Sequence, residues 1–387
     1  MSVTAPEGFV AAGGHVGIKS DGAADLAVVA TADGRAVPAA GVFTSNLMTA
    51  APVLVSRAHL QASGGQAAAV VLNSGNANAG TGEPGERDAE TMCDLVAAEL
   101  GCDRHHVLVC STGLIGIRLP MERIVAGIPT VVAARHPDGA ADAAGAILTT
   151  DTRRKEILVE RPGFAVGGMA KGAAMLAPNL ATMLAVLTTD ATAAPAELHR
   201  ALVAGVAESF NALTVDGCTS TNDTVLLLAS GRRDRVNRAD LDDAVAEACA
   251  GLAAQMAADA EGATRVVRIR VVGAHSDDDA ARAARKVAES QLCKCSWYGG
   301  DPYWGRIASE LGSAGVAFDQ RLVTIAYGGI EVCRAGVEVD HDREAVAAHM
   351  AGREIEITAD LGVGAGRATV LTNDLTHAYV DENMGTS

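Results

Sequence analysis

The run KGAAMLAPNLATML (171–184) sets a lysine, a proline, an asparagine and a threonine into an otherwise apolar stretch. A threonine hydroxyl is a poor nucleophile by itself and needs an adjacent base. One solution uses the α-amino group of the same residue, whose ordinary pKa of about 7.7–8.0 suits proton transfer near neutral pH. That chemistry requires Thr182 to stand first in its chain, so the Ala181–Thr182 bond must be cut beforehand. The surroundings suit a cut. Pro178 and Asn179 favour a turn, and small Ala181 leaves its carbonyl open to the Thr182 hydroxyl, giving an ester that water hydrolyses. The competing reading is an ordinary one: β-branched residues fill buried strands routinely, and TMLAVL (182–187) reads as a strand. Lys171 has two readings as well. An ammonium near a new amine disfavours its protonation and keeps it available as a base; a loop lysine lays its apolar stem along the surface.

Other chemistry-bearing residues are equally divided. In Ser-Thr-Gly (111–113) the glycine lets a backbone N–H approach a developing negative charge closely, yet the triplet alone also reads as a strand-to-loop turn. Glu261 follows a long helix in a Gly-containing loop, where a solvated carboxylate is the default. Cys293 and Cys295 form a C-x-C, but zinc sites prefer C-x₂₋₄-C with a second pair, and no matching Cys or His pair follows. Structural thiols and no metal are expected. LGVGAGRA (361–368) follows a strand without the G-x-G-x-x-G spacing or an evident helix, which speaks against a nucleotide-binding protein.

The elements that must position these residues alternate along the chain. AAAVVLNSGNANAGTG (67–82) predicts a strand over 67–72 entering a turn-rich loop, and DRHHVLVCSTGLIG (103–116) predicts a strand over 107–110 followed by a Ser-Thr-Gly loop. Helical spacing marks 118–136, 196–210 and 239–262. Short apolar strands are predicted at ILVE (157–160) and in 223–231, and period-two alternation marks strands over 264–274 and 353–362. LVTIAYGGIEVC (322–333) is a hairpin candidate around Gly328-Gly329. The fold class is therefore α/β, with helices and sheets mixed in layers.

Composition bounds the functions. The 387 residues are 49% apolar and 20% charged, which is globular, and suggest two domains or one large layered unit. Aromatics are only 3%, so Ala, Val, Leu and Ile must build the core. A net charge of −16 argues against nucleic acid as partner. Eight scattered cysteines fit a reducing compartment. No signal-peptide pattern or membrane-length apolar run is seen, so a soluble, cytoplasmic protein is expected.

Nine stretches taken together carry a resemblance. They are NSGNANA (73–79), STGLIG (111–116), TTDT (149–152), GGMAKG (167–172), APNLATMLAVLTTDA (177–191), STNDTV (220–225), DAEGATR (259–265), DPYWGR (301–306) and TNDLTHAYVDEN (372–383). Their types and order resemble the ornithine acetyltransferase family, self-cleaving enzymes of arginine biosynthesis, over essentially the whole chain. The family commonly has Gly where Ala174 stands, and many members have Asn in place of Tyr303.

The resemblance implies an autoprocessed α/β fold of N-terminal-nucleophile type, cut into chains 1–181 and 182–387, with Thr182 as nucleophile. It implies that Thr112 and Gly113 stabilise the oxyanion and that Thr149, Lys171, Glu261, Asn383 and the chain end contact substrate. That last position falls on Ser387 or on Thr386, because the tail is one residue shorter than the family pattern. The implied activity is glutamate N-acetyltransfer from N²-acetyl-L-ornithine through an acetyl-Thr182 intermediate, with acetyl-CoA an open second donor. No metal or organic cofactor is implied, and two copies of each chain are expected to form a heterotetramer. A hydrolase of the same nucleophile type, with water as acceptor, is the alternative.

Overall fold

The computed structural model describes residues 2–175 and 183–384. The chain divides into two units, one built from 1–211 and 218–256, the other from 212–217 and 257–387. Among the described residues the first holds ten strands: β1 (Phe9–Gly14), β2 (Leu26–Thr31), β3 (Val37–Phe43), β4 (Gln66–Ala67), β5 (Ala69–Asn76), β6 (Val107–Leu114), β7 (Lys155–Arg161), β8 (Phe164–Lys171), β9 (Leu184–Thr189) and β10 (Thr224–Ala229). They form a four-stranded sheet ordered β1-β2-β5-β6 and a six-stranded sheet ordered β4-β3-β10-β9-β8-β7. Only β5–β6 and β9–β10 pair in parallel among these.

Strands β2, β9 and β10 are buried at every position, so they read as continuous apolar runs. The physical reason is that both of their faces are covered. One core joins inward residues of the two sheets, including Val29, Leu72 and Leu108 from one and Met169, Val186 and Leu226 from the other. A second core packs the opposite face of the four-stranded sheet against helices Gly82–Leu100 and Met121–Ala133, through Met92, Val96, Ile124 and Ile128. Helix Pro195–Ala207 lies against β3 and β10. These small aliphatic side chains fill the layers almost without aromatics.

The second unit holds β11 (Val266–Ala274), β12 (Thr324–Tyr327), β13 (Ile330–Arg334), β14 (Val337–Glu338), β15 (Glu354–Asp360) and β16 (Gly366–Asn373), ordered β14-β13-β12-β15-β11-β16. In β11 the buried positions alternate along Val267, Ile269 and Val271, and these meet Ala280, Ala284 and Val287 of helix Asp277–Ala288. The hairpin at Gly328-Gly329 forms as the sequence predicts, with φ of 56° and 81° at the two glycines. The segment 361–368 runs from β15 into β16 without a helix.

Two sequence expectations are corrected. The strand predicted over 67–72 is split between β4 and β5, the latter running on to Asn76, and the Ser-Thr-Gly triplet lies inside β6 rather than in a loop. Parallel pairing of Asn73, Ser74 and Gly75 with Ser111, Thr112 and Gly113 carries both strands past their apolar cores, ending at an irregularity at Asn76. Polar residues continue here because side chains meet each other's needs: the Ser111 hydroxyl donates to Asn73 Oδ1 at 2.6 Å.

Candidate active site

Gly113 sits at φ 132°, and a Cβ there would fall 2.3 Å from the carbonyl carbon of Gly75. No other residue fits without moving the backbone. Thr112 beside it is 2% exposed. Its hydroxyl oxygen accepts from Lys171 Nζ at 3.3 Å. A lysine ammonium has donors only, so in this bond Thr112 spends an acceptor lone pair and keeps its own proton for donation. A hydroxyl polarised by a cation is a suitable donor to a developing oxyanion.

Lys171 ends β8 and is 3% exposed, which rules out the surface-loop alternative. Its ammonium lies 3.8 Å from Asp151 Oδ2. Asp151 Oδ1 accepts from Lys155 Nζ at 2.6 Å and from the Gly172 N–H at 2.7 Å. Asp151 Oδ2 accepts from the Thr149 N–H at 3.2 Å, and the Thr149 hydroxyl stands 3.5 Å from the same oxygen. Burial pushes the Asp151 carboxyl up, but Lys171, Lys155 and the Gly172 N–H outweigh it and hold the pKa at about 2. Among the described residues, two ammoniums thus face one carboxylate here. Asp151 cancels part of the field that the sequence reading ascribes to Lys171, and Lys155 restores it.

Thr112, Gly113, Thr149 and Lys171 thus lie together in the first unit. Glu261 and Asn383 belong to the second unit and are also brought together, with Asn383 Nδ2 donating to Glu261 Oε2 at 2.8 Å. Glu261 is 8% exposed, so it is not the solvated carboxylate that its type suggests. Asn383 closes the helix His377–Asn383. Thr376 caps that helix, accepting from the Tyr379 N–H at 3.1 Å and donating to the Gly262 carbonyl at 2.7 Å, which ties the tail to the Glu261 loop. Ala181, Thr182, Thr386 and Ser387 lie outside the described residues.

Residues without a role in the sequence reading complete the site. Asp151 lies within TTDT, and its partner Lys155 is hidden in DTRRK beside Arg153 and Arg154, where spacing of four between opposite charges was the available signal. Lys19 donates to the carbonyls of Ala24 and Leu148 at 2.9 and 2.7 Å, next to Thr149, and burial lowers its pKa. Cys293 is buried and Cys295 exposed two residues apart in one helix, and no group of three metal-ligating side chains occurs among the described residues. No helix among them is long and apolar enough to cross a membrane.

Comparison with known proteins places the chain in a family. The ArgJ family profile matches residues 10–385. The arginine biosynthesis bifunctional protein ArgJ of Mycobacterium leprae is 50% identical over 396 aligned residues, covering 100% of this chain and 96% of that one. Its namesake from Thermobifida fusca is 47% identical, with 100% of both chains covered. The crystal structure of ornithine acetyltransferase complexed with ornithine from Mycobacterium tuberculosis is 45% identical over 46% of this chain and 94% of that one, at a TM-score of 0.44. With a family match over nearly its whole length and relatives at half identity from end to end, the chain belongs to the ArgJ family.

Proposed function

We propose that the chain is a glutamate N-acetyltransferase of arginine biosynthesis that takes its acetyl group from N²-acetyl-L-ornithine through an acetyl-Thr182 ester. The observation that carries the mechanism is the Thr112 hydroxyl, held against the Lys171 ammonium at 3.3 Å beside Gly113. After the cut before Thr182, the new amine takes the hydroxyl proton as the oxygen attacks the acetyl carbonyl. Thr112 and Gly113 stabilise the oxyanion. The C–N bond breaks, the proton passes to the departing ornithine amine, and acetyl-Thr182 remains. The glutamate amine then attacks the ester, the C–O bond breaks, and a proton returns to the threonine oxygen.

The Lys171 ammonium disfavours protonation of the new amine and keeps it available as a base. Thr149, Lys171, Glu261, Asn383 and the chain end are the substrate-contacting set, and both amino acids carry an α-carboxylate that one set of polar groups can hold in turn. The processed chains assemble as two copies of each in the cytoplasm.

Intact mass of the purified protein tests the cut: chains of 181 and the remaining 206 of 387 residues are expected, and Thr182→Ala should stay whole. Mixing with acetylornithine alone should add one acetyl group to the longer chain, and double-reciprocal plots should be parallel. An active, uncut wild type would sink the mechanism. Acetate release unaffected by glutamate would assign the hydrolase instead. Acetyl-CoA as sole donor in the same assay decides whether the thioester also serves.

A further inference from the structure

Strands β9 and β10 run parallel, in register from Leu184 with Thr224 to Thr189 with Ala229. The residues just ahead of them, Met183 and Asp223, are joined at two points. The Thr224 N–H donates to the Met183 carbonyl at 3.1 Å, and the Met183 N–H donates to Asp223 Oδ1 at 2.9 Å. The first is an ordinary ladder bond. The second puts a side-chain carboxyl where a sheet normally offers a backbone carbonyl. That carboxyl is wholly buried, and its Oδ2 has no hydrogen-bond partner among the described residues. A buried, half-satisfied carboxyl costs stability, and such positions concentrate at functional sites.

Asn222, one residue earlier, reaches the other way. Its Nδ2 donates to the carbonyls of Ala77 and Ser111 at 2.6 and 2.8 Å, gripping β6 immediately before Thr112. The Asp223 carbonyl also accepts from the Thr44 N–H at 2.9 Å, which anchors the segment to the end of β3. Two consecutive side chains therefore hold two different strands. Asn222 holds the one carrying Thr112 and Gly113, and Asp223 holds the one that begins after residue 182.

We propose that Asp223 is a positioning residue for the nucleophile: together with Asn222 it sets the spacing between the start of the second chain and the oxyanion strand. The proposal rests on Thr182 being that nucleophile. Burial holds the Asp223 acid well above the usual carboxylate range, against the pull of the Met183 N–H, the Ser220 hydroxyl and Lys171. An asparagine amide reproduces the shape of this carboxyl and its acceptor oxygen.

The test compares wild type, Asp223→Ala and Asp223→Asn by intact mass for cleavage and by steady-state kinetics for the cleaved fraction. Asp223→Ala should slow self-cleavage about tenfold or more and lower kcat about tenfold or more, with KM for acetylornithine within about twofold. Asp223→Asn should bring both rates back to within about threefold of wild type, a rescue that a general loss of folding would not allow. Wild-type cleavage and kcat in Asp223→Ala would overturn the proposal. So would a folded Asp223→Asn as slow as the alanine variant, because the acceptor oxygen would then be irrelevant. Should Asp223→Ala fail to fold, Asn222→Ala tests the other arm: a kcat loss at constant KM supports the clamp, and wild-type kcat removes it. An active wild type that stays one chain would overturn the Thr182 reading itself, a result distinct from all of these.

Discussion

Replacing Asp151 by alanine leaves the buried ammoniums of Lys155 and Lys171 beside each other without the carboxylate between them. Lys155 and Asp151 have no exposed side-chain surface at all. Removing one partner of such a pair costs about 3–5 kcal/mol, because a charge stays behind uncompensated. Against a typical folding stability of about 5–15 kcal/mol this is a large fraction. A second route gives a similar scale. The Asp151 pKa lies at about 2 against an ordinary 3.8, and at ~1.36 kcal/mol per pH unit the gap corresponds to about 2 kcal/mol. The sign follows from the depression: this stability is present above pH ~3.8 and is lost as pH falls toward ~2. Urea titrations of wild type and Asp151→Ala at pH 7 and at steps down to pH 2 measure both effects. The variant should be less stable by about 2 kcal/mol or more at pH 7, and the difference should shrink across the acid window. Catalysis adds a readout, since kcat should fall where the Lys171–Thr112 contact loses its support. A variant within about 0.5 kcal/mol of wild type at pH 7, with unchanged acid limb, would refute the reasoning.

Further outcomes follow from other residues. Gly113→Ala should lower kcat by about 10²–10³-fold in initial-rate assays, because a Cβ 2.3 Å from the Gly75 carbonyl carbon displaces an oxyanion donor. Deleting residues 383–387 removes the Asn383–Glu261 bond; self-cleavage should persist while kcat/KM for acetylornithine falls about tenfold, or about 1.4 kcal/mol. Asp223→Asn should melt above wild type at pH 7. An acid whose folded pKa is raised loses stability as pH climbs past its unfolded value, so the gain should vanish below about pH 4 in melting curves.

Much of this protein was legible from the chain alone. Period-two burial in Val266–Ala274, the turn at Gly328-Gly329 and the starts of the helices Pro195–Ala207 and Arg238–Ala257 follow from local pattern, since each signal spans only a few adjacent residues, whereas the helix ends expected at 210 and 262 fall short, at 207 and 257. Nine motifs in order sufficed for the family. The roles of Thr112, Gly113, Lys171, Thr182, Glu261 and Asn383 rest on that resemblance and stand as proposals. What only the tertiary structure decided are the partnerships across the sheets. Lys171 meets Thr112 across 59 positions, and Asn222 meets Ser111 across 111. The Ser-Thr-Gly triplet read as a loop because polar residues end an isolated strand, whereas here a parallel neighbour with complementary polar side chains carries the ladder on. Asp151, Lys155 and Asp223 look like surface charges in one dimension. Only folding shows them desolvated, and desolvation converts an ordinary charged residue into a positioning or electrostatic device.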